Sequence, residues 1–236
     1  MNLERLEPTF WGQLAEVSDR WDVLRHPFYV RWSTGNLTLR ELSVYAAEYY
    51  HAVRALAKLV LSTAQSARGP ERSQLQAHAN EELLHIDLWT DFAAALPVVE
   101  SSPHPADETL ECVEAWTSPP KSTVLHSLVA MYTIESGQSK VAATKRATLP
   151  LYGLDGPECA YFDVHAELDL EHAASTRALI EPRLTGVDWE PLLNQGEAVL
   201  AANWKLLDGV ERRNGMLAFD LEGGIMSAFG SDAALN

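Results

Sequence analysis

Three side chains on one stretch have the types and spacing to hold a metal ion. In C-A-Y-F-D-V-H-A-E-L-D-L-E-H-A-A-S-T-R, residues 159–177, His165, Asp169 and His172 stand at i, i+4 and i+7. At a helical step of about 100° per residue they share an arc of about 60°. Glu167 and Glu171 point to the opposite side, and Tyr161 lies one turn above His165 on the shared face. Two imidazoles and a carboxylate in register are a common metal-binding arrangement. The competing reading is a polar helix surface beside an acidic patch. On a helix that packs inward, such a cluster is costly unless something binds there.

Other stretches supply a facing half. In N-E-E-L-L-H-I-D-L-W, residues 80–89, Glu81 or Glu82 pairs with His85 at i+4 or i+3, as on dimetal carboxylate bundles. Leu88, Trp89 and Phe92 near the face of His85 turn it inward. His78, two turns back on that face, reads as an ordinary core histidine. Glu135 interrupts an apolar stripe of Leu125, Leu128, Met131, Tyr132, Ser139 and Ala142, so a cation partner is expected for it. Glu48 interrupts Val44, Ala52, Ala55 and Leu59, and is open to three readings: an extra ligand, an acceptor behind a ligand, or a surface residue. Tyr45 is within reach of that face. Lys145 reads as a surface residue, and Tyr29 and Trp32 as core aromatics. Three histidines with at least three carboxylates are the inventory for two iron or manganese ions in a helical bundle. With open positions, such a centre suits oxygen activation; hydrolysis is the chemical competitor.

The elements that must position these groups are all helical. Periodicity and breakers predict helices over about 2–20, 38–67, 70–96, 106–116, 122–148, 157–181 and 191–213. Thr38 is the expected N-cap of the second, with Glu41 at capping-box spacing, and Gly35-Asn36 the turn before it. No strand pattern, internal repeat or Gly-rich phosphate loop is evident. Residues 1–221 form one all-α domain, and 222–236, rich in Gly, Ala and Ser, are expected to be a loosely held tail.

At 236 residues and 47% hydrophobic, the chain can bury one substantial core. A net charge of −15 argues against nucleic acid and anionic membranes as partners. No apolar run is long enough to span a bilayer. The acidic N-terminal residues lack a signal core, and Cys112 and Cys159 read as free thiols of a reducing cytoplasm.

The segments HPFYVRWSTGNLT, YAAEYYHAV, NEELLHIDLW, MYTIES and AYFDVHAELDLEHA resemble the haem-oxygenase-like dimetal oxidases, within the wider thiaminase-like and pyrroloquinoline-quinone-synthase-like group. The resemblance covers roughly residues 24–182 and is strongest to p-aminobenzoate synthases of the chlamydial type. It implies a seven-helix bundle, a homodimer, dioxygen with a reductant, and two ions of iron and/or manganese. It implies as ligands Glu81 (or Glu82), His85, Glu135, His165, Asp169 and His172. It further implies that Tyr29 is cleaved to supply the ring of p-aminobenzoate for folate, that Lys145 supplies nitrogen, and that Tyr45 and Tyr161 stand as relays or substitute donors. The chain departs from the family in a shorter spacing before His85 and in Ile134 where a tyrosine is expected. Two other readings stand beside this one: a dimetal oxidase acting on a diffusible amino-acid-like molecule, and a non-catalytic helical interaction module.

Overall fold

Local capping chemistry places several of the helices. A computed structural model describes residues 9–98, 104–117 and 123–229. Helix α1 (Phe10–Arg20) starts at Thr9, whose hydroxyl accepts from the Gly12 amide. Residues 2–8 of the expected first helix lie outside the described residues, as do the breakers at 101–103 and 118–120. Helix α3 (Leu39–Ser66) opens on the expected capping box, with Thr38 and Glu41 each satisfying the other's backbone amide. Gly69, at φ +64°, makes the turn into α4 (Pro70–Ala94), with Pro70 in its first turn. Then follow α5 (Asp107–Thr117), α6 (Val124–Thr148), α7 (Ala160–Ile180) and α8 (Glu190–Phe229).

The described residues hold eight α-helices where seven were expected. The additional one is α2 (Pro27–Ser33), two turns long and too short for periodicity to reveal. The His26 imidazole caps it by accepting from the Phe28 amide, and Pro27 pre-sets its first turn. Helix α8 continues past Arg213 to Phe229, through part of the expected tail. The described residues contain no strand, and no helix among them is long and apolar enough to cross a membrane.

Two antiparallel hairpins, α3–α4 and α6–α7, make the bundle, with α4 packed on α7 and α3 on α6. Helices α5 and α8 close the other side, and α1 packs on α8 and α6. Close approach of α8 is set at Gly196, where a Cβ would stand 2.7 Å from Leu14 Cδ1.

Glu48 belongs to this scaffold. Although buried, it accepts from the Ala106 amide at 3.0 Å and from the Thr109 hydroxyl, and it pairs with Arg213. It therefore ties α3 to α5 and α8. A carboxylate this buried is tolerable only because each neighbour donates to it.

Candidate metal centre

Helix α4 contributes His78, Glu82 and His85, α6 contributes Glu135, and α7 contributes His165, Asp169 and His172. All seven side chains are buried. Ligand atoms of His78, Glu82, Glu135 and His172 lie within 4.8 Å of one another, as do those of Glu82, His85 and His165. Glu82 belongs to both groups. His78 Nε2 is 2.9 Å from Glu135 Oε1 and 3.7 Å from Glu82 Oε1. The same Glu82 oxygen is 3.3 Å from His85 Nδ1 and 3.7 Å from His172 Nδ1. Asp169 Oδ1 stands 4.0 Å from His172 Nδ1.

The atoms that converge make no hydrogen bond of ordinary geometry, although His78 Nε2 and Glu135 Oε1 face each other at ion-pair distance. They are His78 Nε2, Glu82 Oε1, His85 Nδ1, both Glu135 oxygens, His165 Nε2, both Asp169 oxygens and His172 Nδ1. Orphaned buried donors and acceptors on this scale are rare in folded proteins, because each costs on the order of 1–3 kcal/mol. Imidazole nitrogen and carboxylate oxygen are a donor set that two iron or manganese ions satisfy. The residues present therefore fit such a pair, and Glu82 is the one that would be within reach of both ions.

Outer contacts orient two of the rings. His165 Nδ1 donates to the Tyr161 carbonyl at 2.7 Å, which leaves Nε2 for the cluster. His172 Nε2 donates to Glu81 Oε2 at 2.8 Å, which leaves Nδ1 inward.

Of the two adjacent glutamates left open by the sequence, Glu82 enters the cluster. The Glu81 side chain is 48% exposed. The reason is rotational: His78, Glu82 and His85 share one face, and Glu81 falls about 100° round the helix from Glu82. Glu48 lies away from the cluster, in the scaffold contact described above. His78, read from sequence as a core histidine, is a full member. The signal that finds it is a repeated spacing: His78-x3-Glu82-x2-His85 on α4 has the pattern of His165-x3-Asp169-x2-His172 on α7.

Without cations Asp169 and His78 hold protons. Burial, with Glu82 and Glu135 adding to it, pushes Asp169 up to about 9. Burial lowers His78, but Glu135 and Glu82 outweigh it and lift the imidazole to about 10. Burial pulls His165 down to about 4. Divalent cations must displace the protons on Asp169 and His78, so metal uptake releases acid. Asp169 and His78 both bind protons more tightly folded than unfolded. Their contribution to metal-free stability is therefore complete at low pH and is lost as pH rises toward about 9 and 10. The melting temperature of the metal-free protein should fall between pH 7 and 9, whereas that of the metal-loaded protein should not. Parallel thermal scans check this; a metal-free melting temperature that rises over that range contradicts it.

A second buried group lies across α3. Lys145, 4% exposed, is not on the surface as its sequence position suggested. Its Nζ donates to Tyr45 Oη at 2.7 Å and stands 4.4 Å from the Tyr29 ring centroid. Trp32, Tyr45 and Tyr49 complete an aromatic cage, at 5.5, 5.0 and 5.0 Å. The Tyr29 and Tyr45 hydroxyls are 3.0 Å apart. Burial drives Lys145 well below the usual lysine range and raises both phenols well above theirs. The cage thus favours the neutral form of the amine and the protonated form of the phenols. Tyr161 links the two regions, stacked on His165 at 3.9 Å.

Residues 43–207 match the family model described as iron-containing redox enzymes. A 4-aminobenzoate synthase of Chlamydia muridarum is 32% identical over 221 residues, which cover 87% of this chain and 92% of the relative. One from Chlamydia trachomatis is 32% identical, covering 84% and 90%. One from Nitrosomonas europaea is 29% identical, covering 86% and 91%. Among solved structures, a TenA homologue from P. horikoshii aligns with a TM-score of 0.71 at 14% identity, covering 87% of this chain and 99% of that one. A domain with a heme oxygenase-like fold from Shewanella denitrificans aligns with a TM-score of 0.71 at 18% identity, covering 90% and 96%. These two likenesses establish the fold. The chain belongs to the haem-oxygenase-like family of iron-containing redox enzymes.

Proposed function

We propose that the chain makes 4-aminobenzoate from its own Tyr29 in an oxygen-dependent reaction, with Lys145 as the nitrogen source. The metal pair would be iron, or iron with manganese, held by His78, Glu82, His85, Glu135, His165, Asp169 and His172. When bound, it supplies the activation of dioxygen. The observation that carries the proposal is the placement of the Lys145 amine. The product bears nitrogen where tyrosine bears its hydroxyl, and a carboxyl where tyrosine bears Cβ. A neutral amine 4.4 Å from the Tyr29 ring is a nucleophile beside the ring that needs it. Tyr45 orients both partners, since its hydroxyl meets Tyr29 at 3.0 Å and Lys145 at 2.7 Å. The cage of Trp32, Tyr45 and Tyr49 buries the amine and so favours its uncharged form. The relatives named as 4-aminobenzoate synthases support the same product.

The test is growth of cells unable to make 4-aminobenzoate. The intact chain should restore growth, and Tyr29→Phe should abolish the rescue. Undiminished rescue by Tyr29→Phe would sink the self-sacrifice.

A further inference from the structure

We propose that Trp89 is the electron relay that joins the metal centre to Tyr45 and Tyr29. The proposal rests on Tyr29 being the ring that reacts. The metal cluster is built on α4, α6 and α7 and the lysine cage on α2, α3 and α6, and aromatic rings connect the two in a continuous path. Tyr161 stacks on His165 at 3.9 Å with planes 27° apart. Trp89 meets Tyr161 edge-on at 4.7 Å, and on its other side meets Tyr49 at 5.2 Å and Tyr45 at 5.7 Å. It is fully buried. The other run of rings goes from Tyr161 through Phe162 at 5.5 Å, Trp32 at 6.2 Å and Tyr45 at 5.2 Å. That run has to cross phenylalanine, whose ring is far harder to oxidise than indole or phenol. On the Trp89 path every ring is oxidisable.

The surroundings of Trp89 also set what kind of relay it is. Its Nε1–H donates to the Ala46 carbonyl at 2.9 Å. An amide oxygen does not take that proton, so Trp89 passes an electron without a proton. Trp89 would supply one electron toward the metal site, by way of Tyr161 and His165, once a bound pair had been oxidised by dioxygen, and the indole would be left a radical cation. Tyr45 refills Trp89 with one electron, and its phenolic proton moves to Lys145 Nζ at 2.7 Å. Tyr29, 3.0 Å away, then passes a hydrogen atom to the Tyr45 oxygen. The net change is one electron from Tyr29 to the metal pair and one proton to Lys145.

The experiment uses the full chain loaded anaerobically with ferrous iron, mixed with dioxygen, and followed by stopped-flow absorbance and freeze-quench electron paramagnetic resonance. The wild type should form a tyrosine radical whose hyperfine pattern narrows when tyrosine is ring-deuterated. Trp89→Phe should form it at least about tenfold more slowly at unchanged iron content. Trp89→Tyr, which restores an oxidisable ring, should recover part of the rate. Both variants lose the bond to Ala46, so a purely structural role predicts equal slowing. Equal slowing, or an unchanged rate in Trp89→Phe, overturns the relay and leaves Tyr29 as the source of the ring. Loss of the Tyr29 side chain with no tyrosine radical in the wild type overturns it as well. A Tyr29 peptide of unchanged mass beside released product overturns both the relay and the reading beneath it. Should Trp89→Phe fail to fold or bind iron, wild-type protein carrying fluorotryptophan at its seven tryptophans keeps the fold and raises the indole potentials. Slower radical formation in that protein supports the relay, and an unchanged rate overturns it.

Discussion

Glu82→Ala is expected to lower metal content from two ions per chain to fewer than one. Glu82 is the carboxylate common to both groups of ligand atoms, with His78 and His172 on one side and His85 and His165 on the other. Its removal takes a donor from each ion and leaves each set with its other side chains alone. It also removes the charge that, against the cost of burial, keeps His78 and His85 close. Glu81→Gln, one residue earlier, should keep both ions. Glu81 touches the cluster only through His172 Nε2, so its loss loosens the orientation of a ring rather than removing a ligand. Outer partners of this kind are worth about 10–100-fold in affinity. Metal analysis after anaerobic loading, with titration to obtain the affinities, separates the two cases. Equal metal loss in the two variants would contradict a role for Glu82 shared between the two groups of ligand atoms.

Lys145→Met is expected to reduce product by more than about 100-fold while metal content stays at the wild-type level, because the nitrogen nucleophile is gone and no metal donor is touched. Methionine matches the length of the lysine stem and carries no charge into the aromatic cage. The variant should therefore be the more stable protein, by roughly 1–3 kcal/mol near neutral pH. The sign follows from linkage. Burial lowers the folded Lys145 value below its ordinary one, so over that range the unfolded state binds the extra proton. The Lys145 contribution to wild-type stability is lost as pH falls below that value, opposite in sign to those of Asp169 and His78, so the advantage of the variant shrinks as pH rises toward 10. Product yield, metal content and thermal scans at pH 7 and 10 test this together. A variant less stable than wild type at both pH values would show that the amine contributes to the fold, contrary to a cage that merely tolerates it.

Much of the metal cluster is legible in the sequence because its spacing is local. His165, Asp169 and His172 share a helix face by arithmetic alone, and Glu135 is conspicuous as a carboxylate on an apolar stripe. His78 is not conspicuous, since one histidine among apolar neighbours is chemically unremarkable. Only comparison of the α4 and α7 spacings exposes it. Glu48 shows the converse. It too is a buried carboxylate on an apolar stripe, yet its partners are Thr109, the Ala106 amide and Arg213, from segments more than fifty residues away. Periodicity reports that a charge is buried and cannot say what meets it. Lys145 escapes for a third reason. Helix α6 is enclosed by α3, α7 and α8, so its buried residues run from Ser127 to Lys145 on more than one face. No single polar face marks its surface. The short helix α2, which carries Tyr29 and Trp32, escapes because two turns hold too few residues to establish a period.

The most direct test of the central claim is the mass of the protein itself. The chain would be loaded anaerobically with iron, exposed to dioxygen and reductant, and measured intact and after digestion. The predicted result is loss of a tyrosine side chain from the peptide containing Tyr29, in proportion to the 4-aminobenzoate released and never exceeding one product per chain. Continued release of product from protein whose Tyr29 peptide keeps its full mass would contradict it.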